Sequence, residues 1–137
     1  MTTGPPRVIV VDDKLPMAEM LAEGLAEHDL QTSAFGSAWT ALEAVRAGGV
    51  EVVVTDLRMP ELDGFTLLDR IRRVDPTVQV IVMTAYGAID AAVESIRRGA
   101  YHYLTKPFKL DELVRFVRRA LEDRALRAAS SRHAPPR

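Results

Sequence analysis

The sequence contains no cysteine among its 137 residues. Disulfide bonds and thiolate metal sites are therefore excluded, and the fold has to be stabilised by a packed core. Long apolar runs are also absent, since none approaches the roughly 20 residues that a membrane-spanning helix needs. The stretch Met1–Pro6 lacks the charged start and the apolar core of a signal peptide. These absences favour a cytoplasmic protein with no membrane partner.

An excess of charge of either sign is missing as well. Lysine and arginine number 18 against 19 aspartates and glutamates, which gives a formal net charge of −1. A basic face that binds nucleic acid would shift this balance, so we expect no direct nucleic-acid binding by this segment. With 47% hydrophobic residues, the chain suits a single globular domain.

Short apolar runs alternate with segments of helical spacing along the chain. Runs rich in valine and isoleucine are typical of strands that are buried on both faces of a parallel sheet. The predicted strands are Arg7–Val11, Gln31–Phe35, Glu51–Thr55, Gln79–Thr84 and Tyr101–Leu104. A strand followed by a helix, five times over, predicts an α/β fold with a doubly wound five-stranded parallel sheet and five helices.

Apolar residues recur every three or four positions in the segments between the strands, which predicts amphipathic helices. The stripes are Met17, Met20, Leu21 and Leu25; Phe65, Leu68 and Ile71; Ile89, Val93 and Ile96; and Leu113, Phe116, Val117, Ala120 and Leu121. Ser37 is a predicted N-cap for a helix over Ala38–Ala47, with Gly48 beyond its end. Gly99 is expected in a left-handed conformation after the fourth helix, and Asp75-Pro76 is expected to end the third.

The two ends of the chain differ in composition from its body. Residues 1–6 include Gly4, Pro5 and Pro6, and the last ten residues are AASSRHAPPR. Such segments cannot bury enough apolar surface to order themselves. We therefore expect a folded domain over residues 7–126, a flexible tail over 1–6, and a flexible tail or the start of a linker over 127–137.

Polar residues follow four of the predicted strands where each strand ends. Asp12 and Asp13 follow the first strand, Asp56 the third, Thr84 ends the fourth and Lys106 follows the fifth. The carboxyl ends of parallel strands meet at one edge of a sheet, where open α/β folds bind ligands. Carboxylates that repel one another need a cation, and oxygen ligands with phosphate suit Mg²⁺. The set therefore indicates a phosphoryl group handled together with a divalent metal.

Each of these residues also has a simpler interpretation. Asp12 or Asp13 would serve as a helix cap in a solvated turn, and Asp56 as a loop acid rather than a nucleophile toward phosphorus. Thr84 is a favourable strand residue in its own right, and Lys106 would be an exposed lysine rather than a phosphate ligand. These alternatives remain open for single residues, but the coincidence of all five at strand ends favours one site.

With these residues at its strand ends, the chain resembles the receiver domain of two-component response regulators. The matching segments are Val10–Asp13 (VVDD), Thr55–Gly64 (TDLRMPELDG), Met83–Gly87 (MTAYG) and Gly99–Phe108 (GAYHYLTKPF). They span nearly the whole folded part, about residues 7–124. The resemblance implies the flavodoxin-like fold of chemotaxis receivers (CheY-like), with strand order 2-1-3-4-5.

The resemblance also implies roles for the polar residues. Asp56 corresponds to the phosphoacceptor, and Asp12 and Asp13 to the acidic Mg²⁺ pocket. The metal site also includes Asp56 and the backbone carbonyl of Arg58, whatever side chain that residue carries.

Three further positions match the parts of the family that respond to phosphate. Thr84 corresponds to the switch hydroxyl and Lys106 to the lysine that pairs with the phosphate. Tyr103 corresponds to an aromatic residue that swings inward on activation. The bond between Lys106 and Pro107 is expected to be cis.

The second half of the chain is most similar to receivers of NtrC-type transcriptional activators. That resemblance implies a sensor histidine kinase as partner and an ATPase and DNA-binding output domain elsewhere in the full-length protein. It also implies a homodimer through the fourth helix, fifth strand and fifth helix. The exposed residues expected on that surface are Ile89, Ala92, Arg98, His102, Arg115, Arg118 and Arg119. The alternative is a stand-alone regulator or a phosphorelay intermediate.

Two positions depart from the family pattern. Lys14 follows the acidic pair where many relatives carry an acid or a small residue, and a cation there would compete with Mg²⁺ or alter dephosphorylation. His28-Asp29-Leu30 lacks the glycine that is common between the first helix and the second strand.

Three rival functions fit the sequence less well than a receiver does. A haloacid-dehalogenase-type phosphatase needs a second acid two residues after its nucleophile, which Asp12-Asp13-Lys14 does not supply. A flavin binder needs a hydroxyl-rich phosphate loop after the first strand, where two aspartates would repel phosphate. A degenerate receiver that only dimerises would not need all five chemical positions.

Overall fold

A computed structural model describes residues 5–60, 62–85 and 88–132, with side chains to residue 127. Gly87 of the fourth-strand motif lies outside these residues, as do Tyr86 and Glu61. The outer parts of the two expected tails, residues 1–4 and 133–137, also lie outside them.

Five strands and five helices alternate along the chain, as the sequence pattern predicts. The strands are β1 (Arg7–Val11), β2 (Gln31–Phe35), β3 (Val52–Asp56), β4 (Gln79–Thr84) and β5 (His102–Thr105). The helices are α1 (Leu15–Ala26), α2 (Ala38–Ala47), α3 (Gly64–Val74), α4 (Ile89–Arg97) and α5 (Leu110–Arg132). Strands β3 and β5 each lie one residue later than predicted, which brings Asp56 itself into the sheet.

All strand pairs are parallel, and the sheet order is β2-β1-β3-β4-β5. The order predicted from the family resemblance is therefore confirmed. Helices α2 and α3, with part of α4, pack on one face of the sheet, and α1 and α5 pack on the other. Because both faces are covered, the central strands are apolar along their length and place their polar residues at their ends.

Helix α4 departs from its predicted orientation. Its stripe faces solvent: Ile89, Val93 and Ile96 are 72%, 51% and 41% exposed. The helix buries Ala92 and Ser95 instead, so the expectation that Ala92 lies on the exposed surface is wrong. The small side chains let the helix approach the sheet closely, and the Ser95 hydroxyl donates to the Ala92 carbonyl at 2.7 Å.

The predicted helix ends are confirmed. The Ser37 hydroxyl accepts a hydrogen bond from the Trp39 N–H at 3.2 Å, and Gly48 caps the other end of α2. Gly99 has a φ of +102° after α4. Asp29, between α1 and β2, has a φ of 61°, so an aspartate here adopts the left-handed conformation that glycine favours.

Helix α5 continues to Arg132, beyond the boundary expected at residue 126. The segment 125–129 is ALRAA, and these residue types are strong helix formers. The Tyr101 hydroxyl donates to Asp123 at 2.5 Å, and the Arg124 side chain donates to the Thr77 carbonyl at 3.0 Å. These contacts hold the second half of α5 against the sheet. No helix in the described part of the chain has the length and apolar character needed to cross a bilayer.

Gly64, the first residue of α3, lies against the end of the third strand. A Cβ at this position would lie 2.6 Å from the Asp56 carbonyl oxygen and 2.7 Å from the Leu57 Cα. The Gly64 N–H donates to the Leu57 carbonyl at 2.9 Å, so the close approach is also hydrogen-bonded. The loop that follows Asp56 can close in this way only because residue 64 has no side chain.

We expect Gly64→Ala to lower the free energy of unfolding by about 1–3 kcal/mol, because the neighbouring backbone has to shift. Gly36→Ala is the matched control, since its Cβ would meet Leu15 at an ordinary 3.5 Å. That control should be neutral or stabilising by up to about 1 kcal/mol. Urea denaturation of both variants measures the difference, and equal stabilities would contradict the steric argument.

Candidate functional site

The strand register brings the predicted site residues to one edge of the sheet. Val11 pairs with Thr55, which sets Asp12 beside Asp56, and Asp56 in turn pairs with Met83. Asp12 is fixed further by a hydrogen bond from its N–H to the Phe35 carbonyl at 3.0 Å. The carboxyl ends of the three central strands thus form the floor of the site.

Three carboxylates meet at this edge. Oxygen atoms of Asp12, Asp13 and Asp56 all lie within 4.8 Å of one another. Asp12 is buried with 1% exposure, Asp56 is half-buried and Asp13 is exposed. Such a cluster combines strong mutual repulsion with access from solvent, which is the arrangement that a bound cation stabilises.

Asp12 is the least solvated of the three. Its Oδ1 accepts a hydrogen bond from the Lys14 N–H at 3.0 Å, whereas its Oδ2 is buried without a hydrogen-bond partner among the described residues. Burial raises the pKa of Asp12, and the nearby Asp56 charge adds to this, while the bond from Lys14 opposes it. A buried carboxylate oxygen without a partner is costly. Carboxylate oxygens are ligands that Mg²⁺ prefers, and the unpartnered Asp12 Oδ2 is one of them, so the cluster fits this metal.

Lys106 supplies a positive charge beside the acidic cluster. Its Nζ lies 3.3 Å from Asp56 Oδ1 and 3.8 Å from Asp12 Oδ2. The side chain is 37% exposed, so it also borders the open side of the site. The Lys106 N–H donates to the Thr84 carbonyl at 2.8 Å, and the bond to Pro107 is cis, as expected.

A cavity of about 790 Å³ opens above these residues. Its polar lining is Asp13, Lys14, Asp56, Arg58, Asp63, Thr84 and Lys106. Thr84 is buried, and its hydroxyl donates a long, weak hydrogen bond of 3.4 Å to the Leu104 carbonyl. Tyr103 does not line the cavity. It is half-buried and packs against the core on the α2 and α3 side of the sheet.

Two neighbours of the site were not found from the sequence. Asp63 caps α3 by accepting from the Thr66 N–H at 2.8 Å, and Phe65 lines the cavity. An N-cap signal was available at Asp63, since an aspartate precedes an apolar helix there. Phe65 carried no such signal, because its place in the apolar stripe of α3 indicated only a core residue.

Arg98 connects this side of the site to α4. Its guanidinium lies 4.9 Å from the centre of the Phe65 ring and 2.8 Å from Asp69 of α3. It also pairs with Glu94 at 2.8 Å, and that hydrogen bond lowers the pKa of Glu94. The Glu94–Arg98 spacing is visible in the sequence as a helical pair, but the contact with α3 depends on the fold.

Comparison with known proteins agrees with the fold and the motifs. The sequence model of the response regulator receiver domain matches residues 8–118. The chain is 40% identical over 116 residues to the regulatory protein AtoC of Escherichia coli strain K12, covering 85% of this chain and 25% of AtoC. It is 40% identical over 114 residues to the DNA-binding transcriptional regulator NtrC of the same organism, covering 83% of this chain and 24% of NtrC.

A solved structure gives the same result. The crystal structure of NtrX from Brucella abortus with ADP superposes with a TM-score of 0.87 at 35% identity, covering 91% of this chain and 29% of NtrX. The chain thus spans about a quarter of the length of the curated relatives it matches. Together the family match, the sheet order and the NtrC-type relatives mean that this chain belongs to the family of response regulator receiver domains.

Proposed function

We propose that this domain accepts a phosphoryl group on Asp56 from a histidine kinase, with Mg²⁺ held by Asp12, Asp13, Asp56 and the Arg58 carbonyl. The observation that carries the proposal is the acidic cluster, whose three carboxylates lie within 4.8 Å of one another with Lys106 beside them. The family membership supports the same assignment.

In the proposed transfer, an oxygen of the Asp56 carboxylate attacks the phosphorus of a phosphohistidine. The new P–O bond forms as the P–N bond breaks, and the leaving imidazole nitrogen takes the electron pair. Lys106 stabilises negative charge on the phosphoryl oxygens from its place 3.3 Å from Asp56. When bound by Asp12, Asp13 and Asp56, Mg²⁺ would supply further neutralisation of the negative charge of the transferred group.

The domain is a regulatory phosphoacceptor rather than an enzyme with a released product. The phosphoryl group stays on the chain until water hydrolyses the acyl phosphate and regenerates the Asp56 carboxylate. The only chemistry that the domain promotes is therefore its own phosphorylation and dephosphorylation.

The switch that we propose uses Thr84 and Tyr103. The weak 3.4 Å contact of the buried Thr84 hydroxyl with the Leu104 carbonyl leaves that hydroxyl free to turn toward a phosphoryl oxygen. Tyr103 then fills the space that Thr84 vacates, and the surface formed by α4, β5 and α5 changes. This is a shift between two populations, with a coupling of about 1–3 kcal/mol in typical cases.

The output of the switch is a dimer or a contact with another domain. The exposed Ile89, Val93 and Ile96 on α4 supply apolar area for such an interface. By similarity to NtrC and AtoC, we propose an ATPase and DNA-binding output domain in the full-length protein and a cytoplasmic location. A stand-alone regulator or phosphorelay intermediate is the alternative, and the sequence encoded after Arg137 distinguishes them. The folded domain is proposed to be residues 7–126, with a tail at 1–6 and the start of a linker at 127–137, into which α5 continues as far as Arg132.

The kinase is proposed to dock beside the site on an apolar groove of about 490 Å³. Met17 and Met20 of α1, at 40% and 57% exposed, are among the residues that line it, as are Pro107 and Phe108. Lys106 borders both this groove and the site cavity. A partner seated in the groove would therefore bring its phosphohistidine close to Asp56.

Incubation with acetyl phosphate and Mg²⁺ should add one acid-stable, base-labile phosphoryl group, detected by mass spectrometry. Asp56→Asn should abolish the addition, because the amide is not a nucleophile toward phosphorus. Asp63→Asn is the control, since this residue lines the same cavity and asparagine also caps helices well. Equal labelling of wild type and Asp56→Asn would refute Asp56 as the phosphoacceptor. No labelling of the wild type would refute phosphoryl transfer itself and leave the degenerate receiver.

Thr84→Ala and Tyr103→Ala should still accept phosphate but assemble less on phosphorylation than the wild type does. The reason is that both variants keep the carboxylates and Lys106 but lose a moving part of the switch. Analytical ultracentrifugation before and after acetyl phosphate treatment measures this. Thr105→Ala serves as control, because this exposed threonine pairs with Thr84 in the sheet and has no proposed role. Normal assembly by both switch variants would contradict the coupling.

Met20→Glu should slow transfer from a phosphorylated histidine kinase about tenfold or more, as loss of one central apolar contact does. Its labelling by acetyl phosphate should not change. Leu126→Glu is the matched control, since Leu126 is 66% exposed on α5 and does not line the groove. Equal kinase transfer rates in the two variants would rule out the groove as the docking site.

A further inference from the structure

Lys14 is a lysine of the site cavity to which the proposed function assigns no role. It is exposed and lines the cavity together with Asp13, Asp56 and Lys106. Among the described residues, no carboxylate lies within 4.0 Å of its ammonium group, so it is not engaged in an ion pair there. Its charge is therefore available to whatever occupies the cavity.

The backbone of Lys14 is fixed on both sides. Its N–H donates to Asp12 Oδ1 at 3.0 Å, and its carbonyl accepts from the N–H groups of Met17 and Ala18 at 2.9 Å and 3.3 Å. The Cα is thus held next to the acidic cluster, and only the side chain can move. A four-carbon stem on this fixed point keeps a positive charge at the rim of the cavity.

The position of Lys14 is unfavourable for α1. It is the N-cap residue, it makes no side-chain capping bond, and the first turn holds no acidic residue that would offset its charge. Lysine caps helices poorly, and a cation at a helix N-terminus is repelled by the helix dipole. The stability of α1 therefore does not explain why a lysine stands at this position, whereas its attraction to the neighbouring acidic cluster does.

We propose that Lys14 is the second cation of the phosphoryl site, a positioning residue that weakens Mg²⁺ binding and attracts the anionic phosphodonor. The inference rests on the proposed function of the same site. Three carboxylates and Lys106 leave two negative charges in the cluster, and Lys14 offsets one of them. The site consequently holds metal less tightly than its carboxylates alone would, and receives phosphoryl anions more readily.

Titration with Mg²⁺ alone, followed by calorimetry at low ionic strength, tests whether Lys14 weakens Mg²⁺ binding. Lys14→Gln should bind Mg²⁺ about three- to tenfold more tightly than wild type, as expected for removal of one charge several ångströms from a divalent ion. Raising the salt concentration should shrink the difference, because screening acts on exposed charges. Lys14→Arg should restore wild-type affinity. A merely structural role would show neither the salt dependence nor the rescue.

Lys109→Gln is the matched control, because it removes the same charge from an exposed lysine that does not line the cavity. Its Mg²⁺ affinity should equal that of the wild type. Labelling with acetyl phosphate at saturating Mg²⁺ tests whether Lys14 attracts the phosphodonor. In Lys14→Gln the acetyl phosphate concentration for half-maximal labelling should rise about three- to tenfold, because one positive charge is lost. In Lys109→Gln it should not rise.

The outcomes separate the two proposals. Equal Mg²⁺ affinity in Lys14→Gln and Lys109→Gln, with normal binding by the wild type, would overturn the role of Lys14 and leave the receiver function standing. Equally tighter binding in both variants would also overturn it, since only net charge would then matter. No Mg²⁺ binding by the wild type or any variant would overturn the proposed metal site and the role of Lys14 together.

Discussion

Burial of the Asp12 carboxylate, with one oxygen that has no hydrogen-bond partner in the described part of the chain, is the constraint on which the rest of the site depends. The oxygen lies 3.8 Å from the Lys106 ammonium, too far for a hydrogen bond but close enough for attraction. An ionised group in this setting is stable only if positive charge is near. The chain meets that need in part with Lys106, and the proposed Mg²⁺ would meet the remainder.

The sheet makes this arrangement possible because its interior is apolar and its edge is not. Strand register sets Asp12 and Asp56 side by side, and the covering helices leave the carboxyl ends of the strands open. On one side the cavity reaches Phe65, whose ring contacts Arg98 at the end of α4. A few side chains therefore join the acidic cluster to the helix that carries the exposed Ile89.

Much of this could be predicted from the sequence. The alternation of apolar runs and helical stripes predicts the five βα units, and Ser37 and Gly48 predict the ends of α2. The face of α4 was mispredicted, because its larger side chains lie outward and the small Ala92 and Ser95 pack inward. The Arg98 contact with Asp69 was also beyond reach, since it joins residues 29 positions apart. Pattern analysis finds local periodicity, whereas such contacts depend on how elements pack.

The absence of a side chain at residue 64 determines which atoms near Asp56, the proposed phosphoacceptor, can respond to a new charge. The Asp56 carbonyl and the Leu57 Cα lie against the first turn of α3 with no spare space. The backbone at the end of β3 therefore cannot move toward α3 to make room for a group added to Asp56. Displacement has to go outward into the open cavity, toward the side chains of its rim. Gly64 thus restricts the proposed response to phosphorylation to movement of side chains on the open side of the cavity.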